Sequence, residues 1–213
     1  MEPGNKLSKA EDEPEIDPTQ YRKVVGCLRY LLQTRPDMTY AVGVVSRYMQ
    51  SPRESHGGAI KHILRYLRGT TGYRIKYERI GQRQLIGYSD SSHNVDPDDG
   101  RSTTGHIFYY GSSPITWCSQ KQDTVALSSC EAEFMAATTT TCKAIWLQDF
   151  LGEIMKKAQE KVILKVDNKS EQVEVEYIPG EEQRADILTK PLARTKFKEM
   201  RSLIGVEEFS RRT

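Results

Sequence analysis

Four carboxylates stand where a fold can gather them. Asp90 closes a short run ending Tyr-Ser-Asp-Ser-Ser, and Glu133 lies in the opening turns of a long helical stretch, in Cys-Glu-Ala-Glu-Phe. Asp167 follows the run Lys-Val-Ile-Leu-Lys-Val, and Asp186 sits in Arg-Ala-Asp-Ile-Leu-Thr-Lys. Three or four carboxylates drawn from strand ends and helix starts can hold two hard divalent cations. Such a pair, about 3.5–4 Å apart, activates a water and stabilises the leaving oxygen of a phosphodiester. Oxygen ligands of this kind suit magnesium, which keeps several waters and takes the rest from carboxylates and phosphate. The competing reading is that these four are solvent-facing acids, as most of the 29 Asp and Glu residues must be. Glu131 is a weaker candidate than Glu133, because two positions on a helix point roughly 200° apart. Asp96, Asp98 and Asp99 fall in a polar loop and read as solvated turn acids.

The elements that must position these acids follow from periodicity. Apolar residues recur at helical spacing over 21–33, 38–50 and 57–68, with Pro36 and Ser51-Pro52 as breaks and Gly69 as the close. The third stretch turns Lys61, Arg65 and Arg68 away from its apolar face, and the three helices are expected to pack apart from the later strands. After Gly81 the period shortens. Strand-like runs appear at 84–89, 104–110, 114–118 and 124–128, with a hairpin turn between Gly111 and Pro114. A helix over about 130–156 follows, in which Thr138–Thr141 should fray or strain. Strands at 161–166 and 173–178 and helices near 181–190 and 192–204 complete the chain. The order defines an α+β, or mixed α/β, fold with the sheet as scaffold.

Residues 1–19 read as a disordered leader, 20–80 as a basic helical segment, 81–190 as the sheet domain and 191–213 as a C-terminal helix and tail. The basic segment is marked by charge: residues 18–80 carry twelve Lys and Arg against Asp37, Glu54 and Glu78. That imbalance suggests an anionic partner, although a basic helix face is equally often only a solvated one. The acidic leader has no apolar core of a secretory signal, and no run is long enough to span a bilayer. Cys27, Cys118, Cys130 and Cys142 show no metal-ligand spacing and read as reduced, mostly buried thiols. An intracellular setting, cytoplasmic or nuclear, is the resulting expectation.

Longer words carry a resemblance. The stretch from YSDSSHNVDPDDGRSTTGHIFYYG to SSCEAEF, and RADILTKPLARTKF near the end, resemble the ribonuclease H domain of copia-type LTR retrotransposon polyproteins. YRKVVGCLRYLLQTRPDMTYAVGVVSRYMQSP and AIKHILRYLRGT resemble the connection that precedes it. The resemblance implies a five-stranded ribonuclease H-like sheet, magnesium or manganese, and cleavage of RNA in RNA–DNA hybrids. It also implies that Asp90, Glu133, Asp167 and Asp186 are the metal-binding catalytic acids, and a nucleic-acid role for Lys61, Arg65 and Arg68.

Two departures accompany it. No adjacent catalytic aspartates of the YxDD kind occur, so DNA synthesis is not expected of this chain. After Asp167-Asn168-Lys169-Ser170 the family continues with a helix, whereas here Glu171-Gln172 runs into Val173. A parallel strand pair needs a crossover of about a dozen residues. With only the five residues 168–172 between Asp167, at the end of the first strand, and the run 173–178, the expectation is that the second strand cannot lie parallel to the first. On that reading the segment bearing Asp186 is displaced and cleavage impaired, leaving a non-catalytic nucleic-acid-binding module or a functionless relic as alternatives.

Overall fold

The computed structural model describes residues 6–78, 84–157, 160–166 and 175–209. Three helices open the fold: α1 (Pro18–Leu31), α2 (Thr39–Ser46), preceded by a 3-10 turn at Pro36–Met38, and α3 (Glu54–Gly69). Pro18 stands at the start of α1, where its missing N–H costs nothing, and the Asp17 carboxylate accepts from the Thr19 N–H as the cap. Tyr21, Val25 and Leu28 from α1 meet Met38, Val42 and Val45, and Ile60 and Ile63 from α3, in a core of their own. Their recurrence every three or four positions makes one face of each helix apolar.

A short strand β1 (Tyr73–Ile75) leads to the main sheet, built from β2 (Leu85–Ser92), β3 (Thr103–Tyr110), β4 (Ser113–Lys121), β5 (Ile163–Val166) and β6 (Val175–Tyr177). Between β4 and β5 runs the long helix α4 (Ser129–Met155). After β6 come a 3-10 turn at Arg184–Leu188, helix α5 (Arg194–Leu203) and strand β7 (Val206–Glu208), which pairs antiparallel with β1. The five strands lie in the order β4-β3-β2-β5-β6. The first three pair antiparallel, and β5 and β6 run parallel to β2. This mixed sheet with flanking helices is compatible with a ribonuclease H-like fold.

Side chains alternate across the sheet. Leu85, Phe108 and Leu164 face α4, against Ala144 and Leu147. Tyr88, Ile107 and Tyr109 face the other way, against Ile187, Leu188, Met200, Ile204 and Val206. Gly87 is required on the first face: a Cβ there would stand 2.5 Å from a Phe108 ring carbon and 2.7 Å from Leu164 Cδ2.

The parallel pairing of β5 with β6 overturns the crossover expectation. Leu164 stands opposite Val175, Lys165 opposite Glu176 and Val166 opposite Tyr177. Both strands are shorter than their apolar runs suggested, so eight residues (167–174) rather than six (167–172) separate them; those eight lie outside the described residues. The return spans only the length of a three-residue strand, roughly 10 Å, against the roughly 26–29 Å that eight residues can reach.

Several other expectations also change. Residues 124–128 form no strand, and Val125 and Leu127 are exposed. The Thr138–Thr141 run neither frays nor breaks α4. Each threonine hydroxyl donates to the carbonyl four residues back, on Phe134, Met135, Ala136 and Ala137 (2.8–3.0 Å), so the polar side chains join the helix ladder instead of competing with it. Residues 6–17 are not loose: the Leu7 carbonyl accepts from Tyr48, the Ser8 carbonyl contacts His56 Nε2 and Glu15 pairs with Arg53. The helices do not stand apart from the sheet, because Arg47, which caps the end of α2, reaches Asp96 at 2.8 Å and Trp117 of β4 donates to the Leu32 carbonyl. The four cysteines are free, but Cys27, Cys130 and Cys142 are exposed on outer helix faces and Cys118 alone is half-buried. No helix among the described residues is long and apolar enough to cross a membrane.

Candidate active site

Asp90 lies inside β2, two residues before its end, and shares the sheet face of Tyr88. The 3-10 turn Arg184–Leu188 crosses over that face. It can do so because Gly105, directly opposite Asp90, has no side chain: a Cβ there would meet Thr189 Cγ2 at 2.5 Å and Leu188 Cβ at 2.9 Å. Gln183 fixes the entry to the turn. Its amide donates to the Ser89 carbonyl at 2.9 Å, and its oxygen accepts from the Ala185 N–H.

The result is a compact acidic pair. Asp90 is 3% and Asp186 7% exposed. The Thr189 hydroxyl donates to Asp90 Oδ2. Lys190 Nζ lies 2.7 Å from Asp186 Oδ1 and 3.7 Å from Asp90 Oδ2, so one ammonium serves both carboxylates. Burial pushes the Asp90 carboxyl above its ordinary value; the Lys190 ammonium opposes this, the Asp186 carboxylate adds to it, and the Thr189 hydroxyl and a bond from the Ser91 backbone oppose it. Two buried like charges disfavour each other's ionisation, and a cation between them restores it.

Glu133 arrives from the opposite layer. It is half-buried in the second turn of α4. That end of the helix is seated on the sheet by Gln122, whose amide donates to the Ala132 carbonyl at 2.9 Å, to Thr104 Oγ1 at 3.0 Å and to Ser91 Oγ at 3.3 Å. Glu131 is exposed and serves as a cap, its carboxylate accepting from the Leu127 N–H at 2.6 Å. Asp167 lies outside the described residues. Among those described, no group of three or more His, Cys, Asp and Glu side chains is gathered tightly enough to hold a metal ion. The structure thus brings Asp90 and Asp186 together and sets Glu133 on the neighbouring helix.

Sequence reasoning missed three participants: Gly105, Thr189 and Lys190. The last two follow Asp186 by three and four positions, one helical turn, and that spacing was the available signal. Of the loop acids, Asp98 and Asp99 are exposed turn residues as expected, whereas Asp96 was misread. Asp96 is buried between Lys121 (2.6 Å) and Arg47 (2.8 Å), tying α2 to the sheet edge. Although burial works against its charge, those cations and the Asp98 N–H hold its carboxyl below the ordinary value.

Lys61, Arg65 and Arg68 are exposed on α3. They form no ion pair among the described residues.

Comparison with known proteins identifies the class. Over most of its length the chain is similar to copia-type retrotransposon Pol polyproteins. It is 36% identical over 236 residues to the retrovirus-related Pol polyprotein from transposon RE1 of Arabidopsis thaliana, covering 97% of this chain and 16% of that protein. It is 35% identical to the Pol polyprotein from transposon TNT 1-94 of Nicotiana tabacum, covering 94% and 18%. The secreted RxLR effector protein 161 of Plasmopara viticola is 43% identical over 128 residues, 60% of this chain and 90% of that protein. The chain therefore spans less than a fifth of the polyproteins it matches. The RE1 match extends over 236 positions, more than the 213 residues of the chain, so that polyprotein carries residues inside the matched stretch that this chain lacks. No family model and no solved structure matches.

Proposed function

We propose that the chain is the ribonuclease H-like part of a retrotransposon Pol polyprotein, with inherited two-metal hydrolysis of RNA in RNA–DNA hybrids that is impaired here. The observation that carries this reading is the buried pair of Asp90, on the central strand of the mixed sheet, and Asp186, on the 3-10 turn over it, gathered around one cationic position. The donor chemistry fits magnesium or manganese: the ligands are hard oxygens, and the charge of the pair calls for a cation. Asp90 and Asp186 would hold it, with Glu133 and Asp167 as further ligands. When bound, the metal supplies an acidified water and a stabilised leaving oxygen. The chain's own part is positional: Thr189 orients the Asp90 carboxylate, Gln183 anchors the turn that brings Asp186, and Gly105 clears its path.

Impairment rests on the residues that the RE1 polyprotein has and this chain lacks, and no longer on a displaced Asp186. The test is cleavage of a labelled hybrid in magnesium by the chain as given. Asp90→Asn and Asp186→Asn should each lower whatever rate is measured, by about a hundredfold or more. A rate unchanged by both substitutions overturns the site.

The exposed basic face of α3 favours a second role, grip on phosphates without cleavage. Arg65→Glu should weaken binding to hybrid and flatten its dependence on salt, since each neutralised phosphate contributes about one unit of slope. Unchanged affinity leaves Lys61, Arg65 and Arg68 as a solvated face.

A further inference from the structure

We propose that Lys190 is a tethered placeholder cation, which holds the Asp90–Asp186 pair together while the site lacks a divalent ion and vacates the position when one is taken up. The inference rests on the metal-site reading above and adds a competitor that it does not contain.

The geometry is that of a shared cation. The ammonium touches Asp186 at 2.7 Å and lies 3.7 Å from Asp90. The side chains of Asp90 and Asp186 are 2% and 11% exposed, whereas that of Lys190 is 37% exposed. The carboxylates are therefore fixed in the protein, and the cation reaches them from the rim on a flexible four-carbon stem. Its attachment is local: the Lys190 N–H bonds the Asp186 carbonyl, one turn back, so the side chain can swing without moving the acids. Burying two carboxylates without a cation is costly, because each disfavours the other's charge and water is too remote to compensate. An ammonium relieves that cost as a single charge. A divalent ion relieves it more fully, but only after the ammonium has left. Lys190 thus stabilises the empty site and weakens cation uptake, two effects of one contact.

The experiment uses the whole chain, with manganese as the probe, read by electron paramagnetic resonance for affinity and by calorimetry for melting. Lys190→Met keeps the stem and removes the charge. It should lower Tm in chelator, recover on addition of manganese, and bind manganese roughly tenfold more tightly than the unsubstituted chain. Equal manganese affinity, or an unchanged Tm in chelator, overturns the placeholder while leaving the metal site intact. Absence of manganese binding by both forms overturns the metal-site reading itself. Should Lys190→Met fail to fold, the unsubstituted chain still decides the matter. The Lys190 ammonium resonance should shift on magnesium addition, and a resonance indifferent to saturating magnesium overturns the proposal.

Discussion

Asp90 is costly to the fold that holds it. Its pKa is raised by burial first and by Asp186 also, against the pull of Lys190, Thr189 and the Ser91 backbone. An acid whose folded pKa lies above its unfolded value binds its proton more tightly in the folded chain. Stability then falls as pH rises from the unfolded value through the folded one. Above that window, charged Asp90 is a net cost that Asp90→Asn removes. The variant should melt higher than the unsubstituted chain at pH 7, and its advantage should shrink as pH falls through the raised folded value toward the ordinary Asp value of about 3.9. Melting curves at several pH values check this. A variant that melts lower at pH 7 would show that the attraction of Lys190 outweighs burial. At this scale the sequence was readable in marking Asp90 and Asp186 as acids that the fold brings together. It was not readable where the role depends on contact. Asp96 has the composition of a turn acid, yet Arg47 and Lys121 arrive from distant parts of the chain and enclose it.

At the scale of elements, helix faces and strand alternation were legible because burial of one face imposes a period. Strand ends and pairings were not. The run at 124–128 has strand composition, but Val125 and Leu127 find no neighbouring strand and stay exposed. The β5–β6 pairing was misjudged because strand length was taken from the apolar run, and a shorter strand frees residues for the connection. Gly105 shows what an element needs from a single position. It faces the 3-10 turn, not a loop, and no positive φ marks it. A methyl there collides with the β-carbon of Leu188 as well as with a threonine methyl, so the turn must lift away from β3. Gly105→Ala should cost about 1–3 kcal/mol in denaturant unfolding. It should also reduce manganese affinity, because the turn carries Asp186 and Thr189 while Asp90 stays on the sheet. Loss of stability with metal affinity intact would mean that β3 yields instead of the turn.

For the molecule as a whole, charge and composition divided the chain at about residues 80 and 190, whereas its packing joins the parts across both points. The face of the sheet that carries Asp90 is covered by Ile187 and Leu188, but also by Met200, Ile204 and Val206, all at most 2% exposed. Strand β7 then pairs with β1, which belongs by sequence to the basic segment. A polar joint reinforces the closure. Arg35 forks onto Asp37 at 2.9 and 2.8 Å, Tyr66 donates to the same carboxylate at 2.6 Å, and Arg201 of α5 donates to the Tyr66 hydroxyl at 3.2 Å. Arg201 also lies over the Tyr73 ring, 3.8 Å from its centre. Residues 81–190 alone would keep the five strands and α4, yet lose three fully buried side chains from one sheet face. Each such side chain is worth about 1.5–3 kcal/mol of burial, and a domain has only about 5–15 kcal/mol in total. The fragment 81–190 should therefore show no cooperative melting transition and should bind a dye specific for exposed apolar surface, whereas 6–209 melts as one unit. Adding residues 191–209 without 6–80 should restore only part of the stability, because β7 would lack β1 and Arg201 would lack Tyr66 and Tyr73. A cooperative transition in 81–190 at the temperature of the full chain would show that the sheet face closes without its C-terminal cover.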